Sequence, residues 1–210
     1  MKPIENKQLV RESEWMRVYR IGPNELLYES KFLIDRLSVP ATLIKGRWIE
    51  LTPEEQLEFA QAFSCKAELS SEDEQILDFL MERGSEEVLQ MIAPLLPRCS
   101  HRERVLEFLL GRIEHGSKGF ANYFQALEII GDRRAVAVLR LKYEQYRKEI
   151  VQTGRTGIAT RDLLGYLSCT NALLTLEGSE EYKAALREML GHPDSVVHLW
   201  AQRFLTQAEG

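Results

Sequence analysis

Arg133, Arg140 and Arg147 recur every seven residues in the stretch "DRRAVAVLRLKYEQYRKEI". On a helix that spacing lays three guanidinium groups along one face. A row of this kind suits a run of carboxylates on an acidic protein, or nucleic-acid phosphates, through charge-assisted hydrogen bonds. Arg155, Lys148, Arg98 and Arg102 are expected to extend it. Arg155 stands in "QTGRTGIATR", where Gly154 and Gly157 bring backbone amides close enough to hold a phosphate or carboxylate. A flexible connector between two helices would use the same residues. Arg133, Arg140, Arg147 and Arg155 are therefore the candidate binding residues. Against a purely basic face, Glu144 lies four residues from both Arg140 and Lys148, the spacing of ordinary ion pairs on a solvated helix.

Other chemistry is sparse in the chain. It has no G-x-S-x-G, no P-loop, no G-x-G-x-x-G after a strand and no H-E-x-x-H. His101, His115, His192 and His198 are not spaced to put two ligands on one helical face, and they read as residues near helix ends. Cys65, Cys99 and Cys169 are odd in number and far apart, which argues against a disulfide framework or a zinc site. The pairs Glu54-Glu55, Glu86-Glu87 and Glu180-Glu181 each fall where a helix begins, and there they favour the positive end of the dipole. No catalytic residue, metal or cofactor is expected. The alternative is a repeat-fold enzyme or enzyme accessory, lyase-like or acting on nucleic acid. It would have an acid or tyrosine buried beside the arginine row, such as Tyr143, Tyr146 or Asp162.

The elements that position these residues are helices joined by short turns. From Thr52 onward, "TPEEQLEFAQAF", "SEDEQILDFLMERG", "SEEVLQMIAPLL" and "SHRERVLEFLLGRIEHG" each open on a capping residue and carry apolar residues at three and four spacing. "GFANYFQALEIIG", "DRRAVAVLRLKYEQYRKEIV", "TRDLLGYLSCTNALLTLEG", "SEEYKAALREMLG" and "PDSVVHLWAQRFL" continue the pattern. Ser71, Ser100 and Thr160 are expected as N-caps. "GYLSCTNALLTL" is small and apolar on nearly every side, as a helix buried between two layers would be. Asn171 inside it reads as a buried hydrogen-bonding residue or a groove ligand. Trp200 and Phe204 read as packing residues or as a surface that recruits a partner. Short joints force neighbouring helices to run antiparallel.

Gly84, Gly131 and Gly178 lie 47 residues apart, with Leu80, Leu127 and Leu174 before them in register and Ile92, Leu139 and Leu186 after. Each glycine is followed by a polar residue fit to cap the next helix: Ser85, Asp132 or Ser179. The expected joint is a glycine in the left-handed cap conformation, repeated. Three helical segments separate the first two glycines and two separate the next pair, so either part of the register is coincidence or the pairing slips near residues 100–118. "ALEIIGDRRAVAVLRLKY" resembles the HEAT-like repeat of phycobilin-lyase-type proteins, whose pattern is A-L-x-x-I-G-D-x-x-A-x-x-x-L, and "GHPDSVVHLWAQRFL" is similar to its next half. The resemblance spans roughly residues 73–208. It implies an all-α fold, a HEAT/armadillo-like α-solenoid of stacked antiparallel helix pairs, over residues 52–210. It implies little about activity, since such repeats serve lyases, scaffolds, DNA glycosylases and binding proteins.

Residues 1–51 stand outside the repeat and are expected to pack on it as an extension. "NELLYESKFLIDRL" (Asn24–Leu37) has the spacing of an amphipathic helix, and "ATLIKGRWIEL" (Ala41–Leu51) that of a short β-hairpin turning at Lys45-Gly46. The polar start lacks the apolar core of a secretory signal, and no run approaches the length needed to cross a bilayer. A cytoplasmic protein that avoids membranes is expected. The net charge of −5 conceals a gradient: residues 98–155 carry 12 Lys/Arg against 7 Asp/Glu, between acidic flanks. A basic middle in an acidic chain favours an acidic protein partner over nucleic acid. The function expected is a non-enzymatic binding or scaffold module, with residues 120–205 central.

Overall fold

The computed structural model describes residues 7–23, 25–116 and 120–209. It is 71% helical, with eleven α-helices and one three-stranded antiparallel sheet among the described residues. The chain divides into two compact units, Met1–Ser100 and His101–Gly210. The boundary expected at residues 51/52 falls inside the first.

In the first unit the sheet runs β1 (Gln8–Glu12), β2 (Met16–Gly22) and β3 (Glu25–Ser30), in that order. Met16 and Val18 on β2 are buried while Arg17 and Tyr19 between and beyond them are less so, the alternation that one buried sheet face requires. Short helix α1 (Lys31–Ile34) follows, then α2 (Ala41–Arg47) and a 3₁₀ turn, Trp48–Glu50. Of the helix expected over Asn24–Leu37 only Lys31–Ile34 is helical among the described residues, and the hairpin expected at Ala41–Leu51 is overturned. Glu25–Ser30 is a strand, because β2 presents a row of backbone donors and acceptors that this segment satisfies, with Val18 opposite Tyr28 and Tyr19 opposite Leu27. Ala41–Arg47 is a helix, because Ala41, Ile44 and Trp48 are the residues it buries, and they recur at three and four spacing. The β-branched residues there had suggested a hairpin. The sheet and α1 pack on α3 (Pro53–Ser64) through an aromatic cluster in which Phe59 lies 5.0 Å from Trp15, 5.3 Å from Phe63 and 5.9 Å from Trp48.

α3 opens on the expected capping box, Thr52 with Glu55. α4 (Ser71–Arg83) opens on Ser70 with Asp73, one residue before the expected Ser71 and Glu74. α5 (Glu86–Ile92) runs into a 3₁₀ turn, Ala93–Arg98, where Pro94 and Pro97 remove backbone donors. Ser100 does not cap the next helix. Its amide and hydroxyl both bond the Glu74 carboxylate, and His101 takes the N-cap position.

The second unit holds α6 (Arg102–His115), α7 (Ala121–Ile130), α8 (Ala135–Thr153), α9 (Thr160–Glu177), α10 (Glu180–Met189) and α11 (Ser195–Glu209). α9 is its core: residues Gly165 to Leu174 are buried in an unbroken run, and the helix packs against α7, α8, α10 and α11. Gly165 allows the close approach of α8, since a Cβ there would lie 2.5 Å from the Tyr146 hydroxyl. Thr160 does not cap α9. It is the first helical residue and donates its hydroxyl to Asp194 at 2.6 Å.

Two of the three repeated glycines take the left-handed conformation, Gly131 at φ +72° and Gly178 at φ +70°. Gly84 does not; its φ is −70° and its backbone extended. Its reason is contact, because a Cβ there would stand 2.7 Å from the Leu80 carbonyl oxygen and 3.1 Å from Val88. Ser85 and Ser179 cap the helices that follow. Asp132 instead holds a turn ahead of α8, accepting from the Arg134 amide at 2.9 Å. No helix among the described residues is long and apolar enough to cross a membrane.

Candidate functional site

The apolar positions 135, 136, 139, 143, 146 and 150 share one helical face by spacing, and α8 buries Ala135, Leu139, Tyr143 and Tyr146 of it. Arg133, in the turn before the helix, and Arg140 and Arg147 on it are exposed. The structure gives two of them carboxylate partners from neighbouring elements. Arg140 forms a two-pronged bond with Glu177 at the end of α9. Arg147 reaches Glu181 on α10 at 3.2 Å and lies 5.6 Å from the Tyr143 ring centre. The side chain of Arg155 lies outside the described residues; its backbone forms a 3₁₀ turn after Gly154. The face is thus mixed in charge.

Arg140 also borders a cavity of about 360 Å³ with Tyr143, Tyr182, Glu177 and Glu181. Burial pushes the Tyr143 phenol above its ordinary value, and burial together with the bond it donates to Glu177 raises Tyr182 to about 12. The hydrogen bond from Arg140 holds the Glu177 carboxyl below the usual carboxylate range. Each shift moves its group away from neutrality, where a general acid or base works best. Tyr146 is buried and Asp162 half-buried. What the cavity offers is ion pairing and phenolic hydrogen bonds.

A second surface lies where α7 and α11 flank α9. Its groove, about 180 Å³, is lined by Gln125, Glu128 and Ile129 of α7 and by Trp200, Arg203 and Phe204 of α11. On α11, Val196, Leu199, Trp200, Arg203 and Gln207 share one stripe by helical spacing, and Val196 and Leu199 are exposed. Ile129 in the groove lining is 65% exposed, and Leu199, beside Trp200 on α11 but outside the lining, is 61% exposed. Trp200 is half-buried, edge-on to Phe204 at 5.4 Å, with the Arg203 guanidinium 5.9 Å from its ring centre.

Glu128 stands in the wall of this groove. Asn171, buried in α9, donates to it at 2.8 Å, and Thr175 donates at 3.2 Å. Burial pushes its carboxyl above the usual range, against the pull of those two bonds. Among the described residues no lysine or arginine pairs with it, so its charge is met by neutral donors and the open groove.

Sequence reasoning singled out Asn171, Trp200 and Phe204 and missed the residue that joins them. The signal for Glu128 is its place one turn after buried Phe124, the one charged side chain of α7. Lys142 was missed in the same way. It falls between Leu139 and Tyr143 on the buried face, and its ammonium donates to the Gly116 carbonyl at 2.9 Å. Among the described residues no group of three or more His, Cys, Asp or Glu is placed to hold a metal ion. Comparison with protein-family models, with curated proteins and with solved structures returns no match.

Proposed function

We propose that the chain is a protein-binding module, and that its second unit is a HEAT-like stack which grips a partner segment in the groove between α7 and α11. Support for the stack comes from α9, which meets α7 and α11 on its flanks and α8 and α10 as their turn-back partners, with left-handed glycines at two joints 47 residues apart. The observation that carries the binding role is the groove itself. It combines exposed Ile129, a half-buried tryptophan and a carboxylate without a cationic partner among the described residues, with exposed Leu199 beside it on α11. Aromatic anchors in partly desolvated clefts dominate protein interfaces, and exposed apolar patches mark them. Glu128 selects the partner's charge: a lysine or arginine flanked by apolar side chains satisfies both the wall and the exposed apolar residues. Selection of displayed random peptides against the full chain tests this. The expected winners carry a basic residue beside aliphatic or aromatic ones and lose binding to Leu199→Asp and Glu128→Gln. Acidic winners, or winners indifferent to both changes, overturn it.

A second contact face, for an acidic partner, is supported by the exposure of Arg133 before α8 and of Arg140 and Arg147 on it. An incoming carboxylate there must displace Glu177 and Glu181, so this face exchanges existing pairs for new ones and gains less.

A further inference from the structure

The first unit contains a cavity of about 650 Å³ between the turn after α1 and the start of α4. That volume is in the ordinary range of small-molecule sites. Its apolar lining is Phe32, Leu33, Leu37 and Leu69. Two cations share the lining, Arg36 from the segment of Leu33 and Leu37 and Lys66 from the segment of Leu69. Lys66 is largely buried; Asp73 takes one hydrogen of its ammonium at 2.8 Å, and the Phe32 and Phe63 rings lie 5.5 and 5.7 Å away. An ammonium has three donors, so it has hydrogens to give to a ligand. Asp73 is committed elsewhere, since its second oxygen accepts from the amide and hydroxyl of Ser70. Glu68 also lines the cavity but is exposed and sits in water.

Arg36 supplies the second observation. Its φ of +51° is left-handed, and it is the one such non-glycine residue among those described. The turn ends α1, with the amides of Asp35 and Leu37 both bonding the Lys31 carbonyl. Glycine or asparagine takes that position at less strain, so an arginine there points to a use for its side chain. Among the described residues it makes no ion pair, and it borders the cavity. The opposite wall is pinned, because Arg98 donates to the Lys66 carbonyl at 2.8 Å and to that of Ala67 at 3.3 Å. That wall is therefore held by the protein's own bonds, while Arg36 is exposed at the other.

We propose that this cavity binds a small amphipathic carboxylate, its head held by Arg36 and Lys66 and its apolar body resting on Phe32, Leu33, Leu37 and Leu69. Titration of the full chain with octanoate, followed by backbone amide shifts, tests the assignment. Shifts are expected to saturate and to cluster in residues 31–38 and 66–73. Octanol offers the body without the charge and inorganic phosphate the charge without the body, and each should bind at least about tenfold more weakly, the worth of one charge-assisted bond. Arg36→Gly supplies the residue the turn prefers, so it should keep or raise the melting temperature while weakening octanoate about tenfold. Leu33→Glu, at an exposed position, should abolish binding with the fold retained. No saturable shifts, equal binding of octanol or phosphate, or full affinity in Arg36→Gly overturns the proposal.

Discussion

Replacing Glu128 with glutamine keeps the shape of the side chain and removes its charge. The amide oxygen still accepts from Asn171, and the amide nitrogen can donate to the Thr175 hydroxyl, so both contacts at 2.8 and 3.2 Å survive. What disappears is the burden of a half-buried carboxylate. Burial raises the folded-state value of this group above its unfolded one, so the folded chain holds the proton more tightly. The wild type therefore has its full stability below the unfolded value of about 4.3 and loses some as pH rises through that value to the folded one. The variant lacks this loss. Near pH 3, below the unfolded value, the carboxyl is neutral in both states, and the two proteins should agree within about 1 kcal/mol, the net worth of one neutral hydrogen bond. By about pH 7 the difference should have moved in the variant's favour. Amide hydrogen exchange along α7 and α9 in a urea series at both pH values reads the local free energy of the second unit. A variant that falls by more than about 2 kcal/mol at pH 7, or a difference that moves toward the wild type as pH rises, refutes the reasoning. The same substitution should weaken basic peptides selected on the groove.

At the joints, Gly131→Ala and Gly178→Ala should each lower stability by about 1–2 kcal/mol, because alanine resists a left-handed φ. Their losses should add, as distant sites do. Gly84→Ala should destabilise for another reason, crowding of its Cβ against the Leu80 carbonyl, and shortening Val88 to alanine should not relieve it; thermal melts of the single and double variants distinguish the two causes. Arg140→Glu sets a carboxylate beside Glu177 and Tyr182, so it should lower the melting temperature at low salt and recover in part at high salt, whereas Arg133→Glu should have the smaller effect; paired melts at two ionic strengths check this. Iodoacetamide should label Cys65 readily and leave Cys169 untouched while the chain is folded, since Cys65 is exposed and burial pushes the Cys169 thiol up; mass spectrometry reads the sites.

The helices were legible wherever a cap and an apolar stripe coincided. Thr52 with Glu55 marked the start of α3, and the run of small and apolar residues from Gly165 marked the buried α9. The first fifty residues misled because strand pairing is a long-range bond. Nothing inside Glu25–Ser30 outweighs its helical spacing until β2 lies alongside. Gly84 misled because one residue type serves two needs, positive φ and close contact, and spacing does not separate them. The arginine row was legible as exposed, since it lies opposite the aliphatic face of α8. Its partners were not, because Glu177 and Glu181 reach it from α9 and α10 across 37 and 34 residues of sequence. The groove was half-legible: Asn171, Trp200 and Phe204 could be singled out by type, while Glu128 needed the packing of α7 on α9 to show which way it turns.

The central claim is that Trp200 anchors a partner segment between α7 and α11. Its most direct test is the affinity of the tightest selected peptide for the full chain, measured by calorimetry against wild type and Trp200→Ala, with thermal melts confirming that both are folded. A tryptophan at the centre of an interface is worth at least about 2 kcal/mol, so the variant should bind about 30-fold more weakly. Affinity within about twofold of wild type would show that binding occurs elsewhere and would contradict the account.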